Sequence, residues 1–282
     1  MSVTTVGIVG SGIMAGGIAE VAARAGHTVV VRARKRAAAD AVIEQIATNL
    51  DKQVTKERLT ADERDATVAR LSATDALDDL AACDLIIENV VEDLAVKKDL
   101  FAELGALAQP STILATNTST LPVVELAVAS GRPDRVVGVH FFNPAPAMKL
   151  VEIVAPLTTS DDTVAAATAF AQACGKTTVA VADRAGFVVN ALLFPYLNNA
   201  IRLWEQGTAS IADIDTAMQA GCGFPMGPFA LLDLVGLDTS LSILEALYAE
   251  FGDPNYLPVP TLRRKVAAGQ LGRKSGQGFL TY

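Results

Sequence analysis

The segment that most constrains the fold is a glycine-rich turn between a run of β-branched residues and a helical pattern. Val6–Val9 is predicted as a strand, and Gly10-x-Gly12-x-x-Ala15 follows it directly. In this position Gly10 permits a tight turn, Gly12 lets the backbone approach a pyrophosphate, and Ala15 is small enough for helix and strand to pack closely. The turn therefore predicts a βαβ unit that binds a dinucleotide at a helix N-terminus. The turn residues that we predict to contact the cofactor are Gly10, Gly12, Ile13 and Met14.

The chain up to about residue 185 alternates short apolar runs with helical patterns. Further strands are predicted at Thr28–Val31, Leu85–Asn89, Thr112–Thr116, Arg135–Phe141, Leu150–Val154 and Thr178–Ala182. Helices are predicted at about Gly16–Ala25, at residues 37–69 with a break near Thr60, and near Thr163–Cys174. Continuous apolar strands suit a parallel sheet that is covered on both faces. The predicted fold class is α/β, with a Rossmann-like, doubly wound and mostly parallel sheet over residues 1–185.

The remainder of the chain shows helical patterns only. Helices are predicted near Phe187–Trp204, residues 210–221, Phe229–Leu234, Thr239–Phe251 and Thr261–Ala268. Ser210 with Asp213 gives the second of these segments, residues 210–221, a capping signature at its start. We therefore predict a second, all-helical domain over residues 186–282, with the boundary near Asp183–Gly186.

Charge and cysteine content narrow the function classes. Lys and Arg total 23 and Asp and Glu total 31, which gives a net charge of −8 and argues against a nucleic-acid partner. No apolar run is long enough to cross a membrane, and the N-terminus shows no signal peptide. The three cysteines are far apart, without a C-x-x-C pair, so we expect neither a disulfide framework nor a metal site. These features predict a cytoplasmic protein.

A basic turn follows the second predicted strand. NAD sites usually carry a carboxylate there, which binds the ribose 2′-hydroxyl. Here the segment reads Arg32-Ala33-Arg34-Lys35-Arg36, without a carboxylate. Cations at this position favour a 2′-phosphate, so Arg32, Arg34 and Lys35 predict NADP(H) as the preferred cofactor, with NAD(H) as the alternative.

Polar residues follow several predicted strands at the edge where the glycine turn lies. They include Glu92, Asn117, Ser119, His140 and Asn143. The only other histidine, His27, begins the second strand and falls on the opposite edge, so His140 is the candidate base. A strand that returns after Asn143 would bring Glu152 beside His140, where a carboxylate orients the imidazole.

These motifs together resemble the 3-hydroxyacyl-CoA dehydrogenases, most closely the short 3-hydroxybutyryl-CoA type, over essentially the whole chain. The matching segments are Gly10-x-Gly12-x-Met14, Ile87-Glu88, Glu92, Lys97-Lys98, Asn117-Thr-Ser119, His140-Phe-Phe-Asn-Pro-Ala-Pro146, Leu150-Val-Glu152, Gly186-Phe-Val-Val-Asn190, Pro225-Met-Gly-Pro228 and Leu271-Gly-Arg-Lys274. The resemblance implies a Rossmann-like domain followed by a helical domain that makes most of a homodimer. The chain departs from the family at Ala33, where the family usually has Asp, and at Ala15, where it usually has a third glycine.

The resemblance also implies roles for individual residues. It implies that His140 is the catalytic base, paired with Glu152, and that Ser119 and Asn190 bind the substrate oxygens. It implies cofactor contacts for Glu92, Lys97, Ser119, Asn143 and Lys274, and a CoA contact for Lys56. The expected reaction interconverts a (3S)-3-hydroxyacyl-CoA, short in its acyl chain, and the 3-oxoacyl-CoA. Two alternatives stay open: a relative that acts on a carrier-protein-bound hydroxyacyl group or a free hydroxy acid, and a nucleotide-binding protein without catalysis.

Overall fold

The computed structural model describes residues 3–282. Residues 1 and 2, with which the first predicted domain begins, lie outside the described part of the chain. The structure divides into two compact units, one that ends at Asp183 and one that begins at Arg184. The first unit contains the sheet, and the second is built from helices.

The strands and helices are bounded as follows. The strands are β1 Thr5–Val9, β2 Thr28–Arg32, β3 Leu71–Thr74, β4 Leu85–Glu88, β5 Ile113–Thr116, β6 Val136–Phe141, β7 Leu150–Ala155 and β8 Thr177–Ala182. The helices of the first unit are α1 Ile13–Arg24, α2 Arg36–Thr55, α3 Ala61–Val68, α4 Leu94–Leu107, α5 Val123–Ala129 and α6 Asp161–Ala173. Those of the second unit are α7 Val189–Glu205, α8 Ile211–Cys222, α9 Pro228–Val235, α10 Leu237–Phe251 and α11 Pro260–Ala267.

The eight strands form one sheet in the order β3-β2-β1-β4-β5-β6-β7-β8. β1 to β6 are parallel, β7 pairs antiparallel with β6, and β8 pairs parallel with β7. The central strands are buried along their whole length, which explains their uninterrupted apolar sequences. The predicted doubly wound, mostly parallel sheet followed by a helical domain is therefore confirmed.

Helices cover both faces of this sheet. Val137 and Val139 of β6 belong to a core that also contains the buried residues of α1, α2 and α6. Gly138, between them, faces Val123 of α5 on the other side, because successive strand residues point to opposite faces. A methyl group on Gly138 would overlap Val154 of β7, so the close approach of these two strands requires glycine here.

The structure corrects two sequence predictions in the first unit. β3, which pairs with β2 at the edge of the sheet, was not predicted. Its four residues contain a single large apolar side chain, Leu71, because an edge strand needs no continuous apolar run. Helix α1 begins at Ile13 rather than at Gly16, since the burial of Ala15 and Ile18 in the core outweighs the weak helix propensity of the glycines.

The second unit has its own apolar core. Its aromatic residues Trp204, Phe229 and Phe279 pack edge to face, with ring centroids 5.0–6.3 Å apart. The buried carboxylate of Asp233 accepts hydrogen bonds from the backbone N–H groups of Phe279 and Leu280, at 2.9 and 2.8 Å. These bonds tie the end of the chain to α9.

The closest helix–helix approach in the first unit makes a testable prediction. A methyl group on Gly105 of α4 would overlap the carbonyl oxygen of Ser130, which ends α5. We expect Gly105→Ala to lower the free energy of unfolding by about 1–3 kcal/mol through overpacking. Thermal and urea unfolding midpoints measure this. Gly221→Ala in α8 is the matched control, because nothing lies within 4 Å of its added methyl group; an equal loss in both variants would contradict the packing argument.

Candidate active site

The carboxyl ends of the parallel strands β1 to β6 meet at one edge of the sheet. Most of the predicted site residues of the first unit lie in the loops at this edge. They are Gly10 and Gly12 after β1, Arg32 at the end of β2, Glu88 and Glu92 at and after the end of β4, Asn117 and Ser119 after β5, and His140 and Asn143 at and after the end of β6.

The glycine turn has the shape that a pyrophosphate requires. Gly10 has a φ of +139°, and a methyl group there would overlap the carbonyl oxygen of Asn89. Gly12 caps α1 without a side-chain hydrogen bond, and nothing lies within 4 Å of the position that its Cβ would take. The N-terminus of α1 is therefore left without a side-chain cap, which suits an anionic group of a ligand. Ile13 is exposed at the start of this helix, and Met14 packs against the core.

Asn89 leaves a buried acceptor beside this turn. Its amide nitrogen donates to the carbonyl of Ile87 at 3.1 Å, which turns Oδ1 the other way. Within residues 3–282 the buried Oδ1 accepts no hydrogen bond. Buried acceptors are normally satisfied, so this atom suits a donor from a bound molecule. The turn and the orphaned oxygen together fit a dinucleotide.

The basic turn after β2 presents two cations to solvent. Arg32 Nε donates to the carbonyl of Asp75 at 3.3 Å, and Arg36 pairs with Asp40 at 3.0 Å. Arg34 and Lys35 are exposed, and their side chains make neither a hydrogen bond nor an ion pair with the described part of the chain. Ala33, between Arg32 and Arg34, is buried.

His140 and Glu152 face each other across the antiparallel pair β6–β7. They are register partners, and His140 Nδ1 lies 2.8 Å from Glu152 Oε2. Both side chains are buried, with His140 4% and Glu152 0% exposed. Ser119 Oγ lies 3.1 Å from His140 Nε2 on the other side of the ring.

This arrangement selects one tautomer of His140. A carboxylate only accepts hydrogen bonds, so the Glu152 contact places the proton on Nδ1. Nε2 then carries the lone pair and accepts from the Ser119 hydroxyl. The ring is oriented by Glu152 and presents its basic nitrogen beside a hydroxyl donor, which is the geometry of a general base with an orienting partner.

A buried ion pair lies at this edge of the sheet. Lys97 Nζ on α4 lies 2.8 Å from both carboxylate oxygens of Glu88 and 3.1 Å from Glu92 Oε2. Lys97 is 1% exposed, so its ammonium is held between these carboxylates. Glu92 Oε1 also accepts a hydrogen bond from the backbone N–H of Ser119 at 3.0 Å.

The sequence reasoning placed Glu88 at this edge but assigned it no partner. It also missed Thr116, whose hydroxyl donates to Glu88 at 2.7 Å, and Thr118, whose hydroxyl donates to Glu92. A usable signal was present, since a carboxylate that ends an all-apolar strand must be paired when it is buried. The first cation after Glu88 in the sequence is Lys97.

Asn117 is engaged with the backbone. Its Oδ1 accepts from the N–H of Phe141 at 2.7 Å, which joins the loop after β5 to the end of β6. This bond fixes the loop that carries Ser119 relative to the strand that carries His140. Asn143, two residues after β6, is exposed at the same edge.

A cavity of about 470 Å³ opens between α1, α2 and the loop after β6. Its walls are mostly apolar, and its polar groups are Ser11, Glu20, Gln45, Asn49 and Asn143. Burial raises the pKa of the Glu20 carboxyl, and Arg24 and Lys176 offset part of this effect. Lys56 is exposed at the C-terminal end of α2, one and a half to two helical turns beyond Asn49.

Two predicted site residues belong to the second unit. Asn190 lies in the first turn of α7 and is buried. Lys274 Nζ pairs with the Asp238 carboxylate at 2.6–2.7 Å. Burial alone would raise the pKa of Asp238, but the hydrogen bonds from Lys274 and from the backbone of Thr239 outweigh it and lower that pKa.

The other ionisable groups within residues 3–282 do not form a second candidate site. Burial raises the pKa of the Cys83 thiol to about 11 and that of Cys174 to about 12. Residues 3–282 contain no grouping of three His, Cys, Asp or Glu side chains able to hold a metal ion. None of the helices in this part of the chain has the length and hydropathy that a bilayer crossing requires.

Comparison with known proteins follows the same division of the chain. Residues 5–184 match the NAD-binding domain of 3-hydroxyacyl-CoA dehydrogenase, and residues 186–282 match its C-terminal domain. A 3-hydroxybutyryl-CoA dehydrogenase of Mycobacterium tuberculosis is 47% identical over 283 residues, which covers 100% of this chain and 99% of the relative.

Solved structures agree with this match. The crystal structure of FadB2 from M. tuberculosis has a TM-score of 0.98 at 47% identity and covers 100% of both chains. That of the (S)-3-hydroxybutyryl-CoA dehydrogenase PaaH1 from Ralstonia eutropha has a TM-score of 0.97 at 42% identity, with 100% of this chain and 99% of that chain covered. The resemblance read from the motifs is confirmed, and the chain belongs to the 3-hydroxyacyl-CoA dehydrogenase family.

Proposed function

We propose that the protein interconverts (3S)-3-hydroxybutyryl-CoA and acetoacetyl-CoA, with NADP(H) as its preferred cofactor. The observation that carries this proposal is the row Glu152–His140–Ser119 at the edge of the sheet where the glycine turn lies. The close relatives named as 3-hydroxybutyryl-CoA dehydrogenases support a short acyl chain.

The chemistry follows from the positions of the protein's own groups. In oxidation, His140 Nε2 takes the proton of the substrate 3-hydroxyl while the C3–H bond breaks. A dinucleotide held at the glycine turn, by Gly10 and Gly12, would supply a nicotinamide that accepts the hydride from C3 in oxidation and returns it in reduction. In reduction, the imidazolium returns its proton to the C3 oxygen. Glu152 stabilises the imidazolium, which forms when His140 takes the proton in oxidation and which gives up the proton in reduction.

Ser119 is the donor beside the reacting oxygen. Its hydroxyl reaches His140 Nε2, so a substrate oxygen bound at this nitrogen also lies near Ser119 Oγ. We assign Ser119 and Asn190 to the stabilisation of the oxygen on which charge develops, with Asn190 assigned from the family resemblance. A nucleotide-binding protein without catalysis would have no need of the buried His140–Glu152 pair, which disfavours that alternative.

Arg34 and Lys35 support the cofactor preference. Both are exposed and uncommitted within the described residues, at the turn where family members usually carry Asp for a ribose hydroxyl. Arg32 reaches the Asp75 carbonyl, so Arg34 is the first candidate for a 2′-phosphate. An NADP(H) preference would favour reduction in a cytoplasm rich in NADPH.

The cavity between α1 and α2 supports the proposal that the substrate is a thioester with a long arm. Its apolar walls and side-chain amides suit a pantetheine chain, and Lys56 at the end of α2 suits a phosphate of CoA. A carrier protein presents the same arm, so a carrier-bound hydroxyacyl group remains the second candidate substrate. We assign the dinucleotide-binding domain to residues 1–185, which also carry the expected substrate contacts Ser119 and Lys56. We assign the remaining substrate binding, with Asn190, and dimerisation to residues 186–282.

One kinetic matrix tests both substrate and cofactor. NADPH and NADH are each measured with acetoacetyl-CoA, longer 3-oxoacyl-CoAs, carrier-bound acetoacetate and free acetoacetate. We expect the highest kcat/KM with acetoacetyl-CoA and a preference for NADPH of about 10- to 1,000-fold. Hydrogen bonds to a charged group contribute about 1.5–3 kcal/mol each before screening, and about 1.4 kcal/mol is tenfold.

Two variants check the origin of that preference. Arg34→Ile alone should lower the advantage of NADPH mainly through KM, because the 2′-phosphate lies far from the transferred hydride. Ala33→Asp combined with Arg34→Ile should reverse it, by adding repulsion and removing the partner. Equal or better efficiency with NADH in the unmodified protein would show that the basic turn is only a solvated surface.

The base assignment makes a second kinetic prediction. We expect His140→Gln to lower kcat by about 10²- to 10⁴-fold, the usual contribution of a general base. Glu152→Gln should cost less, because part of the ring orientation survives. His27→Gln is the matched control, since His27 precedes β2 at the opposite edge of the sheet. Near-normal turnover in folded His140→Gln would refute the mechanism.

The oligomeric state is a separate prediction. We expect a symmetric homodimer formed through residues 186–282, as the family resemblance implies. Several large apolar side chains of this unit, among them Leu192, Phe224 and Leu257, are exposed in the single chain. Light scattering at micromolar concentration should give twice the mass of the chain; a monomer there would disprove the dimer.

A further inference from the structure

Glu88 is a fully buried carboxylate to which the mechanism above assigns no task. It is 0% exposed at the end of β4. Its oxygens accept from Lys97 Nζ at 2.8 Å each, from the Thr116 hydroxyl at 2.7 Å and from the Val90 N–H at 2.6 Å. A carboxylate with this many donors is held in one place.

Lys97 connects the fixed Glu88 carboxylate to a second carboxylate, that of Glu92. Its Nζ lies 3.1 Å from Glu92 Oε2, and Lys97 is 1% exposed, so water does not compete for the ammonium. Within residues 3–282, Glu88 and Glu92 are the only carboxylates within ion-pair distance of Lys97. Loss of the Glu88 charge would leave Glu92 alone to neutralise the ammonium.

Glu92 in turn holds the segment that carries Ser119. Its Oε1 accepts from the backbone N–H of Ser119 at 3.0 Å and from the hydroxyl of Thr118. Ser119 Oγ lies 3.1 Å from His140 Nε2. The connection from Glu88 to His140 is therefore continuous: two ion pairs join Glu88, Lys97 and Glu92, and hydrogen bonds join Glu92 to Ser119 and Ser119 to His140.

We propose that Glu88 is a positioning residue of the active site. Through Lys97 it sets the place of the Glu92 carboxylate, and Glu92 holds the Ser119 backbone so that Ser119 Oγ meets His140 Nε2. Neutralising Glu88 draws Lys97 towards Glu92 and moves that carboxylate from Ser119. The catalytic meaning of this inference rests on the proposed function, whereas its geometric part does not.

A purely structural role for the pair makes a different prediction. Replacing both members of a buried ion pair by neutral residues of similar size is often neutral or stabilising for the fold. If Glu88 and Lys97 served only the fold, Glu88→Gln combined with Lys97→Met would restore stability and leave the His140 resonances of the cofactor-free protein unchanged. If Glu88 positions Ser119, the double variant regains stability while the His140 resonances stay shifted.

The experiment uses the full-length protein without cofactor, labelled with ¹⁵N-histidine. The chain has two histidines, so the imidazole nitrogens of His140 report on the site and those of His27 provide an internal reference. The variants are Glu88→Gln, the double variant and Glu88→Asp. The matched control is Glu125→Gln, which breaks the neighbouring ion pair, 2.9 Å long, between Lys98 of α4 and Glu125 of α5.

We expect the Nε2 resonance of His140 to move in all three Glu88 variants, while His27 and the Glu125→Gln spectrum stay unchanged. We expect kcat to fall by about 10- to 100-fold in Glu88→Gln, because a displacement near 1 Å can cost up to about 100-fold. The double variant is judged by the His140 resonances and the unfolding midpoint, because Lys97 is itself an expected cofactor contact. The KM for the thioester should change little. The unfolding midpoint should fall in Glu88→Gln and recover in the double variant.

Two results would overturn the inference. One is an unchanged His140 resonance in the folded double variant; the other is an unchanged kcat in folded Glu88→Gln. If Glu88→Gln does not fold, the double variant and the charge-conserving Glu88→Asp decide the question in the same way. If the unmodified protein does not turn over any of the thioesters, the proposed function fails, and the resonance test still decides the geometric claim.

Discussion

The active site depends first on the antiparallel pairing of β7 with β6, which reverses the direction of an otherwise parallel sheet. This pairing places Glu152 directly opposite His140, at 2.8 Å between Oε2 and Nδ1. Directly opposed residues of antiparallel strands have Cβ atoms about 4.5–5.5 Å apart, close enough for short side chains to bond. A slip of one residue would turn Glu152 to the other face of the sheet. The return strand therefore sets the tautomer of the base before any ligand binds.

The second dependence is the burial of charge at the carboxyl edge. Glu88 and Lys97 are removed from water, and removing one partner of such a pair typically costs about 3–5 kcal/mol. This buried pair lies where two loops, the one after β4 and the one after β5, must be held in a fixed position relative to each other. Glu92 joins these loops, because it contacts Lys97 on one side and the Ser119 backbone on the other. Stability and catalytic geometry are coupled at this edge, which sets it apart from the rest of the apolar core.

The basic turn that we propose for cofactor selection is built differently from the proposed catalytic row Glu152–His140–Ser119. Arg34 and Lys35 are exposed, and no neighbour among the described residues restrains them. Exposed cations contribute modestly and are screened by salt, so their effect on cofactor choice is open to change by one or two substitutions. His140, Glu152 and Ser119 are held by buried or partly buried hydrogen bonds, and substitution there disturbs several contacts at once. The proposed catalytic side chains are thus held firmly in place, whereas the side chains of the basic turn are open to change by substitution.

Local sequence determined the strand–turn–helix at Gly10, the apolar strands and the helical second half, because these depend on side-chain periodicity and on the backbone freedom of glycine. It also made His140 the candidate base, since the other histidine falls on the opposite edge of the sheet. It did not predict β3, whose edge position needs no apolar run, nor the start of α1. Only the tertiary structure decided which charges share partners. The Glu88–Lys97–Glu92 arrangement joins a strand end, a loop and a helix, and such contacts depend on how these elements pack rather than on spacing along the chain.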